Sequence, residues 1–327
     1  MRRARAKNDG EGYYHLVSRC AFGKMAFADA EKEMFVGMMR RVAAFSGIEV
    51  LAYCVMTNHF HVLAHVPRPV ELTEAVLLER VAILYGAENA EALKGEWEEF
   101  RARGRASRVE AEQAALRRRM GDISPFMQCL KQRFSVWYRS RHEGHEGTLW
   151  QGRFGSTFVG TGEALMAVAA YIDLNPVRAG IVEDPKDYGW SGYGAAVAGD
   201  RAAMLGLARV ADPDARAKDF ESMLDDYGKL LYVRGAGDID PGKIKAVLEA
   251  GGKLELPLAL RCRIRAMTHG FAVGTREFVE AAMAAHADQF PLDRKTGASP
   301  IGRCPSWNGF RFCSARRIQK NPVTLPA

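Results

Sequence analysis

Along the first seventy residues the spacing of apolar positions changes period twice. YYHLVSRC (13–20) follows a basic, polar arm and has the composition of a strand. ADAEKEMFVGMMRRVAAFS (28–46) carries apolar side chains at helical spacing and stops at Gly47, a residue suited to the position just past a helix end. IEVLAYCVM (48–56) reads as a second strand, and Thr57 and Asn58 as a tight turn into HFHVLAHV (59–66). The predicted order is β-α-β-β.

Residues 69–120 break that pattern. They are rich in Ala, Glu, Arg and Leu and read as an inserted helical segment whose charges, Arg117, Arg118 and Arg119 among them, form a solvated face. SPFMQCLKQRFSVWYRSRH predicts a further helix, with Ser124 as cap and Pro125 in the first turn. A glycine-bearing loop leads to a strand at RFGSTFVG (153–160). The helix GEALMAVAAYIDLN should then end near Asn175, because Pro176 disfavours helix in the residue before it.

Beyond about residue 200 the composition shifts. Residues 214–252 and 274–287 read as helical, which suggests a mainly helical module at 201–290. The stretch 291–327 carries seven Lys/Arg against one Asp and reads as a basic tail. GDIDPGK (237–243) imitates a phosphate loop, but Ile244 stands where a Mg²⁺-holding Ser/Thr would be, and its two aspartates repel phosphate.

Composition narrows the class. With 48% hydrophobic and 26% charged residues, the 327-residue chain is that of an ordinary globular protein. No apolar run has membrane-spanning length, and MRRARAKNDG lacks the core of a signal peptide. Six cysteines without a CxxC pair point to reduced thiols in a cytoplasm. The net charge of +7 admits nucleic acid as a partner.

The candidate chemistry begins at HFH. A strand alternates faces, so His59 and His61 point one way and Phe60 the other. Two adjacent imidazoles suit a divalent metal; they equally suit two hydrogen-bonded core histidines. His65 shares their face but lies roughly 13 Å beyond His61, too far to share a metal. Tyr171 and Asn175 are four residues apart, one helical turn, and would offer a phenol nucleophile and a carboxamide ligand on one face. The plainer reading makes Tyr171 a core residue and Asn175 a helix end. Tyr138 is a rival phenol, whereas His142 and His145 read as solvated loop residues. Lys131, Arg133, Arg139, Arg141 and Arg153 lie among Phe134, Trp137, Tyr138 and Trp150. Such interleaving suits a single strand's backbone and bases, and equally suits a helix with an aromatic core side and an exposed basic side.

From Tyr14 to Tyr193 the chain resembles the REP-associated tyrosine transposases, relatives of the single-tyrosine insertion-sequence transposases in the HUH nuclease superfamily. Six pieces in order carry the resemblance: YYHLVSRC, CVMTNHFHVL, SPFMQCLKQRFSVWYRSRH, GTLWQGRF, AAYIDLNPVRAGIVEDP and DYGWSGY. It implies an α+β fold, a ferredoxin-like antiparallel sheet with packed helices, over residues 1–200. His59 and His61 become the metal-holding pair, Tyr171 the nucleophile, and Asn175 the third ligand where insertion-sequence relatives commonly have glutamine. The resemblance further implies Mg²⁺ or Mn²⁺ as cofactor and single-stranded or hairpin DNA as partner. It also implies a monomer or homodimer, and cleavage through a 5′-phosphotyrosine. Two other readings use the same residues: a DNA-binding regulator that has lost cleavage, and a metal-dependent hydrolase of small phosphoesters.

Overall fold

A computed structural model describes residues 10–21, 26–144 and 147–212. Beyond these it describes residues 223–224, 227–228, 231, 267–268, 270–287, 290, 297–300 and 313–315. The expected strands form where the pattern places them: β1 (Gly12–Arg19), β2 (Glu49–Val55), β3 (His59–Val66) and β4 (Gly155–Val159). Their spatial order is β2-β3-β1-β4 and every neighbouring pair is antiparallel. Helix α1 (Asp29–Ser46) crosses from β1 to β2. This is the ferredoxin-like arrangement. Gly47 closes α1 at φ 63°, the left-handed conformation that lets its N–H reach back to the Ala43 and Ala44 carbonyls.

Three helices fill the insertion: α2 (Glu74–Tyr85), α3 (Ala87–Ala102) and α4 (Ala106–Arg117). Its arginines are not uniformly solvated. Arg117 donates to the Leu72 carbonyl, and Arg119 lies over the rings of Phe45 and Tyr85. Helix α5 (Ile123–Arg141) is capped by Asp122, whose Oδ1 accepts from Ser124 N, so the expected cap Ser124 lies inside the first turn.

Alternation on β3 divides the molecule. Phe60 meets Phe35 of α1 at 4.4 Å between ring centroids, and Phe35 meets Phe134 of α5 at 5.2 Å. Trp150 completes this aromatic core, 5.7 Å from Phe60. The opposite face carries the histidines and is covered by α6 (Glu163–Asp173), which packs on β2 and β3. Of the helical module and basic tail expected after residue 200, only parts are among the described residues. Helices α9 (Arg201–Ala211) and α10 (Arg276–Ala285) form, following the short helices α7 (Asn175–Arg178) and α8 (Gly192–Val197). Yet β5 (Ala272–Gly274), β6 (Ser299–Pro300) and β7 (Cys313–Ala315) extend the same sheet in the order β4-β5-β7-β6. The β4–β5 pair is parallel. Strands this short leave little periodicity to read. GDIDPGK, His145 and most of the basic tail, including Arg294, Lys295, Arg303 and Arg311, lie outside the described residues.

Candidate functional site

His59 and His61 stand side by side on one face, ring centroids 5.0 Å apart. The antiparallel register sets Arg19 opposite His59 and Val17 opposite His61, which puts His15 on the diagonal from His61. His15 is fully buried, with Nδ1 2.7 Å from the Met267 carbonyl oxygen and Nε2 2.9 Å from His61 Nδ1. A carbonyl only accepts, so His15 Nδ1 carries the hydrogen and Nε2 holds a lone pair. His61 must then donate from Nδ1, which leaves its own Nε2 lone pair free. His59 reaches the same state by another route: its Nδ1 lies 2.7 Å from Asn58 Oδ1.

Burial reinforces this. It pushes the imidazolium pKa of His15 and His59 down to about 4, and that of His61 well below its ordinary value. After burial, the neighbouring His15, His59, Arg19 and Arg178 each disfavour a proton on His61. The pair is therefore neutral near pH 7, the form that binds metal.

Tyr171 descends from α6 onto the histidines, its ring centroid 5.9 Å from that of His61 and 6.0 Å from that of His15. The side chain is only 9% exposed. No partner bonds its hydroxyl among the described residues. Asp173, two residues on, anchors the helix end. Its carboxyl accepts from Tyr193 N at 3.0 Å and Tyr227 Oη at 2.7 Å, and burial pushes its pKa up to about 7.

Helix α6 ends at Asp173, so Asn175 begins α7 instead of continuing the Tyr171 face. Its Nδ2 donates to the Tyr171 and Ile172 carbonyls at 2.9 and 3.2 Å. These bonds satisfy carbonyls that a helix end leaves open, and they leave Oδ1 as the unengaged end of the amide. Imidazole Nε2 lone pairs and a carboxamide oxygen are donor types that suit a divalent cation. Among the described residues no third His, Cys, Asp or Glu completes a ligand set with the pair.

The other candidates separate. Trp150, expected to stack on bases, is buried in the core behind Phe60, with Nε1 donating to the Lys131 carbonyl and Ser135 Oγ. Its ring is thereby withdrawn from any DNA surface. Lys131 donates to the Gly152 carbonyl and Arg133 to that of Leu84, whereas Arg139, Arg141 and Arg153 are exposed. Helix α5, with Tyr138, lies on the face away from Tyr171, and Tyr138 stacks on His142 at 4.0 Å. His65 is paired with Glu11 and Glu49.

Three residues of the site escape motif reading: His15, Arg19 and Arg178. His15 and Arg19 share one strand face at period two, a signal that acquires meaning only once β1 is paired in register with β3.

Residues 10–93 match the family model described as "Transposase IS200 like". The segment carrying YYHLVSRC and CVMTNHFHVL thus matches the family that the sequence resembles. A solved structure described as a REP-associated tyrosine transposase bound to a REP hairpin is similar at 15% identity and a TM-score of 0.40. The match covers 61% of this chain and 87% of that one. No curated protein matches. No helix among the described residues is long and apolar enough to cross a membrane.

Proposed function

We propose that this protein is a metal-dependent single-stranded DNA endonuclease and strand transferase that works through a 5′-phosphotyrosine on Tyr171. The observation that carries the reading is the Tyr171 ring packed edge-on against neutral His61, which a strand more than a hundred residues earlier presents beside His59. His59, His61 and Asn175 Oδ1 would hold the ion, Mg²⁺ or Mn²⁺ by its tolerance of transient phosphate coordination. When bound, such an ion supplies Lewis-acid polarisation of the scissile phosphate.

The protein's own groups do the rest. Packing against His15 and His61 fixes the Tyr171 ring, so Oη meets the phosphorus with little orientational freedom left to lose. As the Oη–phosphorus bond forms, the phosphorus–O3′ bond breaks. The phenol loses its proton to solvent and the departing 3′ oxygen takes one up. The phosphotyrosine keeps the phosphodiester's energy, so a later 3′-hydroxyl can rejoin DNA without ATP. The solved structure named above holds a REP hairpin, and hairpin-forming single strands are the substrate class to try first. A denaturing gel after incubation with such DNA and Mn²⁺ separates the readings: a covalent adduct supports strand transfer, and a shift only under native conditions indicates a regulator. Neither signal, with turnover of a small phosphoester, indicates a hydrolase.

A further inference from the structure

The Arg178 side chain has no hydrogen bond and no ion pair among the described residues, although the residue is half-buried. Its Nη1 is sealed from solvent and unpaired. The guanidinium lies 4.8 Å from the centre of the Tyr171 ring and is felt electrostatically by His61. Arginine in such a position normally meets a carboxylate, because leaving a buried donor unmade costs about 1–3 kcal/mol. Arg19, exposed and opposite His59, adds a second cation with no ion pair among the described residues.

We infer that Arg178, assisted by Arg19, is the seat for the non-bridging oxygens of the phosphate that Tyr171 attacks. The inference rests on the nucleophile reading above and adds a catalytic residue to it. The N–H groups of the guanidinium would turn to a phosphate oxygen while its face stays on the Tyr171 ring, so one side chain aligns both reactants. Planar, permanently charged arginine suits this better than lysine. Charge that builds on the equatorial oxygens in the transition state then meets a cation already in place. The unpaired Nη1 is a stability cost that the fold carries at this position.

The test combines thermal unfolding with cleavage in wild type, Arg178→Met, Arg178→Lys and Tyr171→Phe. Inorganic phosphate, against chloride at matched ionic strength, should raise the Tm of wild type and Tyr171→Phe and leave Arg178→Met unmoved. Without phosphate, Arg178→Met should melt at or above wild type, because an unpaired buried donor has gone. Its adduct formation on single-stranded DNA should fall about 100-fold or more, with Arg178→Lys between the two. A purely structural arginine predicts the reverse, and that result overturns the inference: Arg178→Met melting several degrees lower, with its phosphate response intact. Absence of a phosphate response in wild type overturns it as well. Adduct formation by Tyr171→Phe would sink the nucleophile assignment instead, while the phosphate arm still decides the role of Arg178.

Discussion

His15 Nε2 accepts from His61 Nδ1 at 2.9 Å, and this one bond determines which nitrogen His61 turns to the site. A second partner behind a ligating imidazole commonly tunes metal affinity about 10–100-fold. His15→Phe preserves the ring packing but leaves the His61 N–H without its acceptor. Mn²⁺ binding followed by EPR titration should weaken by about that factor, with Tyr171 still in place. Unchanged affinity would show that His61 is oriented by other contacts.

Acid should destabilise the fold through the same histidines. His15 and His59 titrate near 4 folded, against 6.5 for the free side chain. As pH falls from 6.5 towards 4, the unfolded chain takes up protons that the folded one refuses, so stability present near pH 7 is progressively lost. Urea unfolding of wild type and His59→Gln at pH 7 and pH 5 isolates one group. Wild type should lose about 2 kcal/mol more than the variant over that interval. Asp173, with its pKa raised, acts in the opposite direction in both proteins and cancels.

Trp150→Ala should act on the core rather than on DNA. Removing an indole packed against Phe27, Phe35, Phe60 and Phe134 costs about 3–5 kcal/mol. Denaturant midpoints should fall accordingly. Residual folded protein should bind DNA with the salt slope of wild type, since no phosphate contact is lost. A shallower slope would return Trp150's neighbourhood to the DNA surface.

Gly194→Ala should be among the most damaging small changes. A Cβ there would sit 2.1 Å from the Tyr188 carbonyl oxygen, so backbone must move in the turn that docks α8. The expected loss is about 3 kcal/mol or more, read as a Tm drop. A Tm within a degree of wild type would mean that this turn adapts freely.

The N-terminal half of the fold was legible because its strands are long enough to show period two and its helices to show period 3.6. HFHVLAHV revealed both the face of His59 and His61 and the opposite anchoring of Phe60. The strands β5, β6 and β7 were not legible: two or three residues each, they gain strand identity only by joining an existing sheet edge. Trp150 and Arg139 looked alike in sequence, as rings and cations interleaved, and separated only when the β3 faces assigned α5 to the aromatic side. His15 and Arg178 were invisible for a related reason. Their significance lies in what they meet, 46 and seven residues away along the chain respectively.

Tyr171→Phe is the most direct test of the central claim. The substitution keeps the ring that packs on His15 and His61 and removes only the phenolic oxygen. Wild type and variant are incubated with hairpin-bearing single-stranded DNA and Mn²⁺, then run on a denaturing gel. Wild type should leave a protein–DNA adduct that protease digestion reduces to a phosphotyrosine-bearing oligonucleotide. The variant should melt like wild type, bind the DNA, and give no adduct. Undiminished adduct in Tyr171→Phe, with loss of adduct in Tyr138→Phe, would contradict the assignment and move the nucleophile to the other face of the sheet.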